Sequence, residues 1–459
     1  MNNDNRNRAS HARQHPETNP QTGRQVVSRT RSTSSKTAAA TTRALTKADP
    51  KKENKVAKAR RKQREAAVAE AKWQEDIVRV RGGVDGAMLA IILILVALGS
   101  ITVFSASYPE AVRKTADGMT YIKSQILYVV IGFAVMALMA WVIPVNFYRS
   151  WAPVTAYIVA VLLLIIVLFY GTAVGVTKRW IAVGPINIQP SEIMKLAIIL
   201  MIAWYFDKYE KQMNDPRHGF GEQFKWNTIY PILILGAACG LVLIGKHLSG
   251  TIIVGMIGLL MLIVGGCNLK WLFATGIPLA AAAIGGFLAL NPYALKRITT
   301  FTDDNADKLD ELYQTTQSIY AIGSGGLFGV GLGESRQKFS YLSAAHTDFI
   351  FAVWCEEWGF IGAVTLIALF LLFMWRGYVI ALRAPDKFTM LTAFGITTHV
   401  GIQVFFNMCV VADMFPNTGI TLPFFSYGGS SLIVLLFEMG ILLSISRQYY
   451  RKKSDLRKK

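Results

Sequence analysis

The chain has 459 residues, of which 53% are hydrophobic and 17% are charged, and its formal net charge is +19. A soluble domain has about a quarter of its residues charged, so this composition argues against a soluble globular protein. Residues 1–85 hold 20 Lys and Arg against 9 Asp and Glu, and residues 447–459 hold 7 against 1. Between these ends lies a nearly neutral, apolar body. This pattern is typical of a membrane protein with basic tails.

The first predicted element is a basic, largely disordered tail over residues 1–84. Residues 1–50 are rich in Arg, Ser, Thr, Asn and Gln, which predicts disorder, whereas the Ala-, Lys- and Glu-rich residues 51–79 favour a polar helix. Such a tail either binds anionic membrane lipids at the inner leaflet or is a solvated segment that follows the positive-inside rule. No aromatic or groove-reading pattern accompanies the positive charge, so nucleic acid is not an expected partner.

Residues 85–446 are predicted to form an all-α membrane domain of ten transmembrane helices. Crossing about 30 Å of hydrocarbon takes roughly 20 apolar residues. Nine segments satisfy this requirement: 86–107, 125–146, 153–171, 229–245, 250–268, 271–292, 349–374, 388–412 and 429–446. A tenth, 190–206, contains Glu192 and Lys195 but is continuously apolar from Leu196 to Phe206.

The distribution of Lys and Arg predicts the orientation of these spans. If both termini are cytoplasmic, the inner side holds 36 basic residues and the outer side 11, with Lys195 inside a span. Because cytoplasmic loops carry the excess of Lys and Arg, this is the favoured orientation. It places the basic tail 447–459 in the cytoplasm and the long loop 293–348, between helices 7 and 8, on the extracytoplasmic side.

The loop 293–348 has an acidic part followed by a glycine-rich part. Long loops in compact domains are usually functional or disordered, and the aromatic residues spread through this one favour an ordered loop. The two parts contain Asp303, Asp304, Asp307, Asp310 and Glu311, then Gly323, Gly325, Gly326, Gly329, Gly331 and Gly333. A nucleotide-binding loop is disfavoured because no strand precedes it and no Gly-Lys-Ser/Thr ends it. We expect the glycines to permit tight turns against the membrane surface.

Ionisable residues within the predicted spans are candidates for function, since each costs at least about 2.5–3.5 kcal/mol at the bilayer centre. Glu192 and Lys195 are three residues apart, so they share one helix face and can neutralise each other. A purely structural ion pair is an equally open interpretation. For His399 and Glu438 the favoured interpretation is a hydrogen bond between helices, and the adjacent Glu356 and Glu357 complete the set.

Three stretches of sequence form motifs that resemble one known family. The first motif contains Arg179-Trp180 and then Gln189-Pro190-Ser191-Glu192-Ile193-Met194-Lys195. The second motif runs from Arg297 to Gly359 and contains Tyr313-Gln314, Gln337-Lys338 and Ala345-His346-Thr347-Asp348-Phe349-Ile350-Phe351. The third motif contains Thr418-Gly419 and Leu422-Pro423-Phe424-Phe425-Ser426-Tyr427-Gly428-Gly429-Ser430-Ser431. Over roughly residues 84–448 the chain resembles the SEDS family (FtsW, RodA and SpoVE). The second motif resembles the division and sporulation branch more than the elongation branch.

This resemblance implies a peptidoglycan glycosyltransferase in the bacterial plasma membrane that polymerises lipid II on the extracytoplasmic face. It also implies a class B penicillin-binding protein as partner, with other divisome or elongasome membrane proteins. In the family a catalytic Asp lies ten residues after the Arg of an Arg-x-x-x-Phe pattern and six before Tyr-Gln. Arg297 and Tyr313 place it at Asp307. Because Lys308 stands where the family usually has proline, Asp304 is the reserve candidate.

Extending a glycan requires a sugar hydroxyl to attack an anomeric carbon whose leaving group is lipid pyrophosphate. A carboxylate base helps by about 10²–10⁴-fold, and positive charge stabilises the departing pyrophosphate. Asp307 is the candidate base, and a divalent cation (Mg²⁺ or Mn²⁺) bound by the acidic cluster is a further hypothesis. The candidate substrate-binding residues are Arg179, Glu192, Lys195, Arg297, Gln314, Arg336, Lys338, His346, Asp348 and Ser430.

Two other functions remain open at this stage. Charged residues within spans suit a flippase or transporter for the lipid-linked precursor as well as a catalytic groove. A transporter usually has inverted repeats, and no convincing internal repeat is visible. The departures around Asp307 leave room for a non-catalytic scaffold that recruits a wall synthase.

Overall fold

The structure is a computed structural model. It describes residues 77–174, 177–183, 186–214, 220–290, 295, 313–339, 341–417 and 419–452. Several predictions lie outside these residues: the disordered tail up to residue 76, the acidic part of the long loop with Asp304 and Asp307, and the last seven residues. Arg297 also lies outside them.

The described chain is mainly helical, as expected of an all-α membrane protein. The helices are α1 (Gly86–Thr115), α2 (Thr120–Ala137), α3 (Val145–Arg149), α4 (Ala152–Tyr170), α5 (Pro190–Lys208), α6 (Glu210–Asn214), α7 (Phe220–Phe224), α8 (Tyr230–Ile244), α9 (Leu248–Gly265), α10 (Leu269–Leu290), α11 (Tyr313–Ser324), α12 (Ile350–Arg383), α13 (Lys387–Val411) and α14 (Gly429–Ser446). Two π-helical turns, Leu138–Val142 and Lys225–Ile229, extend α2 and join α7 to α8.

Within the described residues, nine helical segments are long and apolar enough to cross a membrane. They correspond to the nine apolar segments of the sequence, so the prediction of a multi-pass membrane protein is confirmed. The tenth predicted span is helix α5, whose 19 residues include Glu192, Lys195, Asp207 and Lys208. That α5 also crosses the membrane, and that the termini are cytoplasmic, stay predictions.

Helix α5 lies at the centre of the bundle. It packs against α4, α9 and α13, and its side chains from Met194 to Leu200 are all buried. Protein rather than lipid therefore surrounds the charged start of this helix. Because neighbouring helices cover α5, little of the helix faces solvent, and its sequence has no continuous polar face.

The two ends of the described chain lie together. Strand β1 (Ile77–Arg81) pairs antiparallel with a strand at Gln448–Lys452, with Ile77 opposite Lys452 and Arg81 opposite Gln448. The predicted polar helix through residue 79 is therefore wrong for residues 77–79. In this segment the β-branched residues alternate with arginine, which favours a strand once a partner strand is available.

A second small sheet follows α4 and was not predicted from the sequence. Its antiparallel strands are β2 (Thr172–Val174), β3 (Thr177–Val183) and β4 (Ile186–Ile188), in that order; the strand at Gln448–Lys452 is β5. Strand β4 leads directly into α5, which begins at Pro190. Proline suits this first helical position because its fixed φ is helical and its missing N–H would be unpaired there anyway.

The glycine-rich segment makes tight turns, as expected, and packs on the first turns of α12; its position against the membrane surface stays a prediction. The backbone N–H of Val330 donates to Glu356 O at 3.0 Å, and that of Gly331 donates to Glu357 O at 3.1 Å. A Cβ on Gly329 would lie 2.1 Å from Glu357 O, and the φ of Gly329 is +80°. Glycine is required at this position both by the close backbone approach and by its left-handed conformation.

We expect Gly329→Ala to lower the free energy of unfolding by at least about 2 kcal/mol, since alanine meets both a clash and a disfavoured φ. The measurement is the thermal unfolding midpoint of the detergent-solubilised protein. Gly323→Ala is the matched control, because a Cβ on this helical glycine has nothing within 4 Å and alanine favours a helix. Equal midpoints for the two variants would contradict the packing described here.

Candidate active site

The amino-terminal turns of α5 carry a buried ion pair. Lys195 Nζ lies 2.8 Å from Glu192 Oε2, and the Lys195 side chain is 2% exposed. The same ammonium donates to Gln403 Oε1 on α13 at 2.8 Å. The predicted pairing of Glu192 with Lys195 is thus confirmed. Gln403 was missed, although an amide in the middle of an apolar span is itself a signal for a polar contact within the membrane.

A small cavity lies beside this ion pair. It has about 20 Å³ of space, enough for roughly one water molecule. Its wall combines polar groups from α5, α13 and α14 with the backbone of the third sequence motif. The lining residues include Glu192, His399, Gln403, Thr421, Ser426 and Ser431. The cavity places a carboxylate, an imidazole and an amide around one polar space inside the bundle.

Several segments that were predicted to be extracytoplasmic meet at one end of α5. Arg179 on β3 donates from its guanidinium to Lys246 O, in the turn between α8 and α9. In the same turn His247 Nδ1 lies 3.1 Å from Ser191 Oγ. Ser430, at the start of α14, accepts a hydrogen bond from the N–H of Gln189 at 3.3 Å. Arg179 and Ser430 therefore flank the helix that carries Lys195.

The second and third motifs dock on each other at this end of the bundle. Ser426 Oγ donates to Thr347 O at 2.6 Å, and the N–H of Tyr427 donates to His346 O at 2.9 Å. The backbone carbonyl of Asp348 accepts from Asn407 Nδ2 at 2.8 Å. The two motifs, far apart in the sequence, thus form one surface.

His346 and Gln314, two predicted site residues, extend this surface. The ring of His346 lies 4.8 Å from that of Tyr121, and its Nδ1 is 3.2 Å from Glu110 Oε2. These two atoms are close but not aligned for a hydrogen bond. Burial lowers the pKa of His346, an effect that nearby Glu110 opposes. Gln314, on α11, accepts from Asn417 Nδ2 at 2.8 Å.

A second buried ion pair anchors the glycine-rich segment. Lys338 Nζ lies 2.9 Å from Glu357 Oε1 and also donates to Ser105 Oγ at 2.9 Å and to Gly333 O at 2.7 Å. The neighbouring Glu356 accepts from Ser335 Oγ at 2.5 Å and from the N–H of Arg336 at 2.9 Å. The partners of Glu356 and Glu357 were not foreseen from the sequence.

These contacts give two of the predicted cations, Lys338 and Arg336, different environments. The Lys338 ammonium is buried and has three acceptors, so its geometry serves the attachment of the loop to α12 and α1. The Arg336 side chain, in contrast, is exposed at the same end of the bundle. Contact with a substrate phosphate is therefore easier for Arg336 than for Lys338.

The described residues contain no group of three His, Cys, Asp or Glu side chains that could hold a metal ion. The four cysteines, all of which are described, are free thiols and none is paired in a disulfide.

The family model for FtsW, RodA and SpoVE, described as a cell cycle protein, matches residues 86–451. The chain belongs to this family. The match spans the whole helical domain, including the three motifs that meet around α5, so the resemblance predicted from the motifs is confirmed.

Individual relatives agree with the family match. The chain is 38% identical over 367 residues to stage V sporulation protein E of Bacillus subtilis, covering 78% of this chain and 96% of that protein. It is 39% identical over 364 residues to a probable peptidoglycan glycosyltransferase FtsW of Geobacter sulfurreducens, covering 78% and 94%.

Two solved structures have a similar fold. The Thermus thermophilus rod shape determining protein RodA matches with a TM-score of 0.57 and 28% identity, over 79% of this chain and 97% of that one. A chain from a study of structural coordination of polymerization and crosslinking by a peptidoglycan synthase complex matches with a TM-score of 0.62 and 26% identity, over 79% and 98%.

His247 is expected to make stability depend on pH. Burial, with the nearby positive charges of Arg179 and Lys195, lowers its pKa to about 3 from an ordinary value of 6.5. Between these values the unfolded chain binds a proton that the folded protein does not, so stability falls as pH drops from about 6.5 towards 3. The slope is up to about 1.4 kcal/mol per pH unit.

The unfolding midpoint should therefore decrease less between pH 6.5 and pH 4.5 in His247→Asn than in the unsubstituted protein. Asparagine retains a polar atom near the position of Nδ1, so the contact with Ser191 is preserved. If the midpoint of the variant falls by as much between the two pH values as that of the unsubstituted protein, groups other than His247 cause the acid sensitivity.

Proposed function

We propose that this protein is a peptidoglycan glycosyltransferase that polymerises lipid II into glycan strands during cell division or a related wall-building process. The observation that carries the proposal is the buried Lys195–Glu192 pair beside a polar cavity. This pair lies inside a chain that matches 94% of the length of a relative named as such an enzyme. Membership of the FtsW, RodA and SpoVE family supports the same activity.

The acceptor hydroxyl requires a base, and Asp307 is the proposed one. Asp307 lies in the acidic part of the loop, between α10 and α11, outside the described residues. Helix α11 begins at Tyr313, six residues later, and its Gln314 is held by Asn417, which directly precedes the third motif. This contact holds the start of α11, the helix that follows the acidic segment in the sequence, at the surface formed by the second and third motifs. Asp304 is the reserve candidate.

The departing pyrophosphate requires positive charge. Arg179, Lys195 and Arg336 are the favoured cations, with Arg297 a further candidate in the same loop as Asp307. Glu192 holds the Lys195 ammonium in place through a 2.8 Å contact. Positive charge held in a poorly hydrated site stabilises developing negative charge more strongly than it would in water. Gln314, Lys338, His346, Asp348 and Ser430 would shape the same substrate site, mainly through their contacts with neighbouring segments.

In the proposed reaction, the acceptor hydroxyl displaces undecaprenyl diphosphate in a single step, with inversion at the anomeric carbon. The new bond forms between the acceptor oxygen and that carbon, and the bond to the pyrophosphate oxygen breaks. Asp307 takes the hydroxyl proton. The site faces the extracytoplasmic side, and a class B penicillin-binding protein is the proposed crosslinking partner. One structural relative comes from a study of coupled polymerization and crosslinking, which supports this choice.

Purified protein in detergent with fluorescent lipid II should form polymer, and Asp307→Asn should reduce the initial rate by about 10²-fold or more through loss of the base. Asp310→Asn is the matched control in the same acidic segment and should retain most of the activity. Polymer at the normal rate in Asp307→Asn would remove Asp307 from the mechanism, and Asp304→Asn would then be tested.

The wild-type protein also distinguishes the alternatives. Absence of polymer, even beside the partner transpeptidase, would favour a scaffold or a transporter. Movement of lipid across vesicles without polymer would support the transporter.

We further propose that a divalent cation, Mg²⁺ or Mn²⁺, assists departure of the pyrophosphate. The acidic part of the loop, with Asp303, Asp304, Asp307, Asp310 and Glu311, is the proposed site of the ion. A chelator should then reduce polymerisation by at least about tenfold, and added Mg²⁺ or Mn²⁺ should restore it. Full activity in the presence of chelator would reject the proposal.

A further inference from the structure

Two ionisable residues deep in the bundle form a pair that the proposed reaction does not use. His399 on α13 and Glu438 on α14 are separated by 39 positions, yet His399 Nδ1 lies 2.9 Å from Glu438 Oε2. Their side chains are 4% and 0% exposed. The expected hydrogen bond between helices is therefore present. The second oxygen of Glu438, Oε1, has no hydrogen-bond partner among the described residues.

The pair is connected to Lys195 through one amide. His399 Nε2 lies 3.0 Å from Gln403 Oε1, and the same oxygen accepts from Lys195 Nζ at 2.8 Å. His399 and Gln403 are four residues apart, so they share a face of α13. A continuous series of hydrogen bonds thus runs from Glu438 through His399 and Gln403 to Lys195.

The orientation of the Gln403 amide is fixed by its other contacts. Its Nε2 donates to Thr421 O at 3.0 Å and faces Thr421 Oγ1 at 3.1 Å. Rotation of the amide by 180° would place NH₂ against the Lys195 ammonium, a donor against a donor. Oε1 is therefore the atom that meets both Lys195 and His399.

This orientation determines where the protons of His399 lie. Because Gln403 Oε1 can only accept, His399 Nε2 must carry a proton. A single proton then lies between Nδ1 and Glu438 Oε2, on one atom or the other. With the proton on either atom, the pair has no net charge. Glu438 thus fixes the imidazole with its N–H towards Gln403, as acidic second partners do for other functional histidines.

Stability alone is a weak reason for such an arrangement. A buried ion pair or hydrogen-bonded pair is often no more stabilising than apolar side chains of the same volume. The Gln403 amide nitrogen is held by Thr421, whereas its Oε1 meets two donors, the Lys195 ammonium and the N–H of His399. The N–H of His399 therefore helps to hold the oxygen that accepts from Lys195.

We propose that His399, oriented by Glu438, is a positioning residue that acts through Gln403 to hold the Lys195 ammonium where its charge acts on the pyrophosphate. This rests on the proposed glycosyltransferase function. His399 touches neither the substrate nor the reacting atoms; it limits the motion of the amide that accepts from Lys195. Because the pyrophosphate gains charge in the transition state, a displaced Lys195 lowers kcat more than it raises KM.

The test compares two substitutions, each of which retains a polar group near one of the two imidazole nitrogens. In His399→Gln the side-chain amide reaches about as far as Nε2 and retains a donor towards Gln403. In His399→Asn the amide reaches only as far as Nδ1 and retains the contact with Glu438. Fluorescent lipid II polymerisation by the full-length protein in detergent gives the apparent kcat and KM of both variants.

We expect kcat to fall about tenfold in His399→Asn and less than about threefold in His399→Gln, with KM changed less than about threefold in either. In a Gln403→Met background the two variants should become equal, because the connection to Lys195 is already lost. The reverse order of activities, or a difference that persists in the Gln403→Met background, would overturn the proposal.

A second pair of variants covers the case in which the substitutions of His399 fail to fold. Glu438→Gln can donate an N–H to Nδ1 and keeps the proton of His399 on Nε2, whereas Glu438→Leu cannot. The proposal requires Glu438→Gln to be the more active variant at equal melting temperature; equal activity would contradict it. An inactive wild-type protein would instead refute the proposed function itself, which distinguishes the two failures.

Discussion

The rest of the structure depends on the need to give each ionisable group buried in the bundle a polar partner. A lone charge at the bilayer centre costs at least about 2.5–3.5 kcal/mol, and breaking a buried ion pair by removing one partner typically costs about 3–5 kcal/mol. Among the described residues, three contacts meet this need with two ionisable partners: Lys195 with Glu192, Lys338 with Glu357, and His399 with Glu438. Each contact also fixes a segment that belongs to the proposed active site.

The Lys338–Glu357 contact shows how this requirement shapes the outer end of the bundle. Lys338 can bury its ammonium only if the glycine-rich segment lies against α12, and that approach in turn requires glycine at position 329. Arg336, two residues earlier, is thereby presented at the surface while its own N–H is held by Glu356. Burial of one cation thus places another, exposed cation at the end of the bundle where the motifs meet.

Much of the fold could be predicted from the sequence because each apolar span is a local feature. The nine apolar segments and the helical class follow from residue order alone, and the Glu192–Lys195 pair follows from a separation of three on one helix. Which residues meet between distant segments could not be predicted in this way. A hydrogen bond between helices was expected for His399 and for Glu438, but that they are each other's partners across 39 positions depends on how the helices pack. The same holds for Lys338 and Glu357.

The strand pairs were also beyond local prediction. The segment at residues 77–81 is adjacent in sequence to a region of helical composition, and only its partner strand, more than 360 residues later, decides its conformation. The role of Asp307 as the base is a prediction from the family motif.

The pairing of β1 with β5 has a consequence for chain connectivity. Residues 77 and 452 are neighbours in the pair, so a short peptide bridging them would close the helical domain into a ring without displacing any helix. A circularly permuted chain could then begin in one of the connections at the other end of the bundle. Chain ends that already lie together are the natural sites for such a rearrangement.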